Sequence, residues 1–175
     1  MKSRFQVPRY TYSDYKNWKE DWELVDGYPF QIMPLTSIKQ SKVRGNLVYQ
    51  IGSIRNKNRN LNFDVYPRLD WKIYEDTVVR PDIMIVCGEP KNEILEFPPV
   101  LIIELLSPYN RKNQRVIKFE LYRENGVKYY LMVDVIKENV EVFELIDNFY
   151  KQVERTVFQI DKNCEINFDY DEIWK

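Results

Sequence analysis

Apolar residues recur along the chain in two rhythms, and each change of rhythm marks an element. Thr11-Tyr12-Ser13-Asp14 supplies capping residues and Tyr15, Trp18 and Trp22 follow at helical steps, which predicts a short N-terminal helix ending around Asp21. The apolar runs 22–25 and 30–33 flank Asp26-Gly27, the signature of an antiparallel hairpin, with Tyr28-Pro29 lengthening its turn. Ile38, Val43, Leu47, Ile51 and Ile54 then recur at steps of three to five. That period predicts a helix over 36–57 whose solvated side carries Lys39, Lys42, Arg44, Arg55 and Lys57.

Beyond this helix the period shortens to that of strands. Residues 62–75 are rich in aromatic and β-branched side chains and predict one or two strands broken at Pro67. The runs 83–87 and 98–107 are apolar on both faces, as central strands covered by helices require. A helix over 110–125 closes at Gly126, and strands are expected over 127–135, 139–146 and 149–160, the last two joined by a tight Asp147-Asn148 turn. A short helix is expected over 167–174. The order predicts an α/β protein, in the wider α+β sense: a mixed central sheet flanked by helices, with an N-terminal helix and β-hairpin.

Composition narrows the chemistry more than the fold. The 175 residues are 44% hydrophobic and 30% charged, with no repeat, linker or low-complexity stretch, so a single globular domain over 1–175 is expected. No apolar run approaches the roughly 20 residues of a membrane span, and the opening residues lack the apolar segment of a signal peptide. The cytoplasm is the expected compartment. Histidine is absent, which removes histidine triads, histidine zinc sites and histidine general bases together. Cys87 and Cys164 lie far apart without CxxC spacing and read as free thiols. A net charge of −1 gives no general affinity for nucleic acid, so any such binding must use a local basic patch.

Two acids interrupt the apolar runs. Alternation from Val100 to Leu106 places Glu104 on one face with Ile102 and Leu106, inside a packed layer, and Asp82 heads the run 83–87. A buried, unpaired carboxylate costs several kcal/mol, so each needs a proton or a cation. One solution is a structural ion pair, with Arg80, Arg68 or Lys128 as partner. The other is a shared divalent metal, and the hard oxygen donors suit Mg²⁺ or Mn²⁺. In the helix that follows, Arg111, Arg115, Lys118 and Tyr122 share one face at steps of four, three and four. Such a stripe can be a mere solvated face, but Lys118 is flanked by Ile117, Phe119 and Leu121 and should be partly packed.

The segments Trp22-Glu23-Leu24-Val25-Asp26-Gly27, Arg80-Pro81-Asp82, Ile103-Glu104-Leu105-Leu106-Ser107-Pro108 and the run from Lys118 to Asp134 resemble, in order and spacing, the Uma-two family of restriction endonuclease domains. That family belongs to the PD-(D/E)xK nuclease superfamily, so the resemblance implies a restriction endonuclease-like fold. The superfamily's usual lysine, two residues after the second acid, is replaced here by Leu106. The Uma-two family is similar in lacking it and supplies a lysine from the next helix, which maps onto Lys118, while Glu23 matches a further acid from the N-terminal hairpin. The resemblance thus implies one catalytic site of Glu23, Asp82, Glu104 and Lys118, supported by Tyr122 and Arg115.

These readings together predict a Mg²⁺-dependent (or Mn²⁺-dependent) endonuclease acting on nucleic acid, with double-stranded DNA as the expected partner. Asp82, Glu104 and the Leu105 carbonyl are the expected metal ligands, with Arg111, Arg115, Lys39, Lys42 and Arg44 reaching phosphates. The aromatic content, 13 Tyr, 9 Phe and 4 Trp, exceeds what a core of this size readily hides, and a homodimer built partly from residues 62–74 is expected. The alternative is a catalytically inactive module using the same fold for nucleic-acid binding or oligomerisation. Glycoside hydrolysis, which needs only two carboxylates, leaves Lys118 and the arginines without a purpose.

Overall fold

The computed structural model describes residues 7–32, 37–57, 62–106 and 114–175, without the side chains of Gln114 and Arg115. The chain begins with α1 (Tyr12–Tyr15), the strands β1 (Trp22–Val25) and β2 (Tyr28–Gln31), and the long α2 (Ile38–Lys57). Five strands follow: β3 (Phe63–Pro67), β4 (Trp71–Tyr74), β5 (Thr77–Val79), β6 (Ile83–Cys87) and β7 (Leu101–Leu106). A π-helical turn (Gln114–Lys118) runs into α3 (Phe119–Glu124), and then come β8 (Tyr129–Asp134), β9 (Asn139–Ile146), β10 (Phe149–Val153), β11 (Val157–Asp161) and β12 (Cys164–Asn167).

The central sheet has six strands in the order β10-β9-β8-β7-β6-β3. Only β7 and β8 pair in parallel within it, and the crossover between them contains the π turn and α3. Both central strands are buried along their whole length, which is why their sequences are apolar at every position but Glu104 and Asp134. On one face Ile83, Ile85, Ile103 and Leu105 pack under Val43, Leu47 and Ile51 of α2. On the other, Met84, Ile102 and Leu106 pack with Tyr122 of α3 and Trp71 of β4. A smaller antiparallel sheet, β2-β1-β5-β4, lies beside the first, and Arg80-Pro81-Asp82 carries the chain from its strand β5 into β6. The mixed sheet flanked by helices is the expected fold class.

Several local expectations need revision. Helix α1 is a single turn, because Trp18 and Trp22 serve an aromatic cluster with Tyr10 and Tyr15 instead of continuing a helical face. The hairpin turn is Asp26-Gly27 alone, with φ of 50° and 75°, and Val25 faces Tyr28 across it. Tyr28 and Pro29 belong to β2, an edge strand that tolerates a residue without an N–H. Strand β5 was not expected: its three residues are too few to show a period, yet all are buried. The expected strand 149–160 is two strands, since the chain leaves β10 to form β11, which pairs with β12 and not with the central sheet. Instead of the helix expected over 167–174, Asn167 ends β12 and residues 170–173 form turns. The first part of the expected helix 110–125 lies outside the described residues, but its end is as expected. Gly126 has φ of 75°, and the N–H groups of Gly126 and Val127 donate to the carbonyls of Arg123 and Tyr122, closing α3.

The aromatic surplus is largely internal. Phe63 and Trp71 are buried, and Phe119, Tyr122, Tyr130, Phe143 and Tyr150 form one cluster over the sheet, leaving Tyr74 as the exposed large aromatic of the segment expected at a dimer interface. Cys87 and Cys164 are free thiols, as expected. No helix of the described residues is long and apolar enough to cross a membrane.

Candidate active site

Four elements converge where β6 and β7 part. Register between these strands ends at Ile83 and Ile103, so the N–H of Leu105 has no partner on β6. Asp82, one residue before β6, supplies one: its Oδ2 accepts that N–H at 2.8 Å. The N–H and C=O of one strand residue point to the same side, so the Leu105 carbonyl faces the gap that Asp82 occupies. The other oxygen, Oδ1, takes an ion pair from Arg44 of α2 at 2.6 Å.

Glu104 points to the opposite face of β7, with Ile102 and Leu106, as alternation requires. Its Oε1 accepts Lys118 Nζ at 2.8 Å and the Tyr122 hydroxyl at 2.7 Å. Lys118 closes the π turn, and Tyr122 lies one α-helical turn further on, so the two reach the same carboxylate. The ammonium also meets Glu23 Oε1 of β1 at 2.7 Å, and this oxygen accepts the Arg80 N–H at 2.8 Å. Arg80 is itself fixed: its guanidinium pairs with Asp70 and Asp21, and Tyr15 donates to Asp70 and to the Trp22 carbonyl. The small sheet, through β1 and the Arg80-Pro81-Asp82 corner, thus sets two acids against the large one.

Burial governs the electrostatics. Glu104 is 1% exposed, and desolvation pushes its carboxyl up to about 7; Lys118 opposes the shift while Asp82 and Glu23 add to it. Desolvation acts on Lys118 to lower its pKa, but Glu104 and Glu23 outweigh it and hold the ammonium charged. Burial, then Glu104, raises the Tyr122 hydroxyl well above its ordinary range, so it remains a donor. Three carboxylates face two cations, a local excess of negative charge that adds to burial in raising the Glu104 carboxyl.

Glu23, Asp82, Glu104, Leu105, Lys118 and Tyr122 are therefore brought together. Arg111 and the Arg115 side chain lie outside the described residues. The partners considered for a structural ion pair are engaged elsewhere: Arg80 with Asp70 and Asp21, Arg68 with Asp21, and Lys128 with the Gln159 carbonyl. Arg44, expected on a solvated face with Lys39 and Lys42, instead turns to Asp82. The signal was present: Gln40, Arg44, Leu47 and Ile51 follow steps of four, three and four along the buried edge of α2. Gln40 is itself buried and donates to the Leu106 carbonyl at 3.4 Å. Among the described residues no three acidic or cysteine side chains form a ready metal cluster. Lys118 sits on Glu23 and Glu104 oxygens and Arg44 on an Asp82 oxygen.

A family model named Uma2 and described as "Putative restriction endonuclease" matches residues 9–163. No curated protein matches the chain. Among solved structures, the chain is similar to a putative nuclease belonging to DUF820 from Anabaena variabilis, with a TM-score of 0.74 and 16% identity. The match covers 94% of this chain and 97% of that one, and at this identity it shows the fold.

Proposed function

Because the chain belongs to the Uma2 family, described as "Putative restriction endonuclease", we propose that it is a divalent-metal-dependent nuclease cleaving phosphodiester bonds in DNA, with Glu23, Asp82, Glu104 and Lys118 as its catalytic residues. One observation carries this reading: a buried lysine held at 2.7 and 2.8 Å between two carboxylates, beside a third acid at the end of the adjacent strand. A purely structural ion pair has no need of the extra acid.

The donor set fits Mg²⁺ or Mn²⁺. Asp82, Glu104 and the Leu105 carbonyl offer only hard oxygens, and the local excess of negative charge calls for a cation. Bound there, the metal supplies Lewis-acid activation of water and neutralises charge at the phosphate. Lys118, held charged, steadies the attacking oxygen and donates to the phosphate oxygens that gain charge at the transition state. Tyr122 fixes the Glu104 carboxylate through its hydroxyl, and Glu23 orients the attacking water while keeping Lys118 aimed. Arg111, Arg115, Lys39 and Lys42 are proposed phosphate contacts. Lys39 and Lys42 lie exposed on α2, where affinity for DNA would fall steeply with salt. A single domain that pairs into a homodimer in the cytoplasm would suit cleavage of both strands of a duplex.

The test is a Mg²⁺-supplemented nuclease assay on linear, supercoiled and single-stranded DNA and on RNA, beside Asp82→Ala and Lys118→Ala. Equal degradation by wild type and both variants would mark the activity as contamination and end the enzymatic reading. The Arg44–Asp82 pair favours one second reading, an idle nucleic-acid-binding or oligomerisation module whose acids are already neutralised. Such a module would show no Mn²⁺ binding by calorimetry.

A further inference from the structure

Among the described residues, Arg44 is a site residue with an unfinished set of interactions. Its Nη2 meets Asp82 Oδ1 at 2.6 Å, yet its Nε is buried without a hydrogen-bond partner among the described residues. The side chains of both partners are largely shielded, at 16% and 13% exposure. A guanidinium normally satisfies its donors in a planar fork, and a buried donor left unmade costs about 1–3 kcal/mol. Arg44 is thus held by the charge of Asp82, with its Nε left without a partner among the described residues.

The place it occupies is specific. Asp82 Oδ2 accepts the Leu105 N–H, the Leu105 carbonyl faces the same gap, and Oδ1 is the oxygen that already holds a cation. Two cations cannot share that oxygen at close range without strong repulsion. We infer that Arg44 is a resident counter-ion which a divalent metal must displace from Asp82, so that metal and arginine compete for one carboxylate. The inference rests on the metal-dependent reading above and adds a residue to it. Before the metal arrives, Arg44 keeps Asp82 from standing as an uncompensated buried charge. Once displaced it remains on α2 at the rim of the site, on the element that carries Lys39 and Lys42, where its charge is available to a substrate phosphate.

Mn²⁺ calorimetry on wild type, Arg44→Met, Arg44→Lys and Asp82→Asn tests this, with thermal melts establishing that each variant is folded. Arg44→Met is expected to bind Mn²⁺ about tenfold more tightly than wild type, a change of about 1.4 kcal/mol. Arg44→Lys, which keeps the charge, is expected to stay near wild type, and Asp82→Asn to lose binding. The melts supply a second readout. Without metal, Arg44→Met should melt below wild type, and saturating Mn²⁺ should raise its Tm by more than it raises that of wild type. Wild-type binding that Arg44→Met leaves unchanged or weakens overturns the competition and spares the metal reading. Binding by Arg44→Met with a silent wild type overturns displacement and makes Arg44 a permanent occupant. If neither chain binds, the metal-dependent reading itself fails.

Discussion

Lys118 and Glu104 are separated by fourteen residues of chain and meet at 2.8 Å across the crossover from β7 to β8. The position two residues after Glu104, where a strand lysine would lie, holds Leu106, buried in the layer that includes Tyr122. From the π turn, Lys118 reaches Glu104 and Glu23 at once.

Replacing Lys118 by Met should therefore have two separable consequences. Turnover should fall about 10²–10³-fold, the loss typical of removing one donor to a transition-state oxyanion. Stability should fall by about 3 kcal/mol at pH 8, because breaking a buried pair leaves a bare carboxylate. The destabilisation should shrink at pH 6, where Glu104 can take a proton instead. Denaturant melts at the two pH values, run beside single-turnover cleavage, check both; a destabilisation independent of pH would contradict the assignment of Glu104 as the stranded charge.

Tyr122→Phe keeps the ring stacked on Trp71 and removes only the 2.7 Å bond to Glu104. A hydrogen bond to a charged group contributes about 1.5–3 kcal/mol, so a comparable loss of stability is expected. If Tyr122 positions Glu104, kcat should drop about tenfold with KM little changed. A rise in KM alone would make the hydroxyl a substrate contact.

The raised carboxyl of Glu104 gives the metal-free protein a pH dependence with a defined sign. The ordinary value is 4.5 and burial lifts it to about 7, so between these values the folded state binds more protons than the unfolded one. Stability attributable to this group is thus greatest below about 4.5 and declines as pH rises toward 7. Thermal melts from pH 5 to 8 should show that decline in wild type and a flatter profile in Glu104→Gln. Mn²⁺ affinity should move the other way, strengthening as pH rises and Glu104 ionises.

Tyr130 offers a case in which less polarity should stabilise. Its hydroxyl is buried with no hydrogen-bond partner among the described residues, while its ring packs against Phe119, Tyr122 and Phe143. Tyr130→Phe removes the unsatisfied group and keeps the ring contacts, and should raise stability by about 1–2 kcal/mol. Urea denaturation measures it. A loss of stability on substitution would mean that the hydroxyl has a partner, such as an ordered water.

The sequence by itself determined the central strands, the long helix, the place of both hairpin turns, though not the length of the first, and the closure of α3. These follow from local chemistry: uninterrupted apolar runs, a sustained helical period, and Asp-Gly, Asp-Asn and Gly126 where φ must be positive. It also singled out Asp82 and Glu104, because an acid in an apolar run is conspicuous without any knowledge of its neighbours. The tertiary structure decided what faces those acids. Short β5 and the split of β10 from β11 depend on pairing between distant segments, which no local period records. Arg44 looked like one more base on an amphipathic helix, and Arg80, Arg68 and Lys128 looked like equal candidates for the acids. Only the packing of α2 over the sheet, and the corner at Arg80-Pro81-Asp82, brought Arg44 to Asp82 and sent the others elsewhere. Charge can be read along a chain, but which charges meet is fixed by contacts many residues apart.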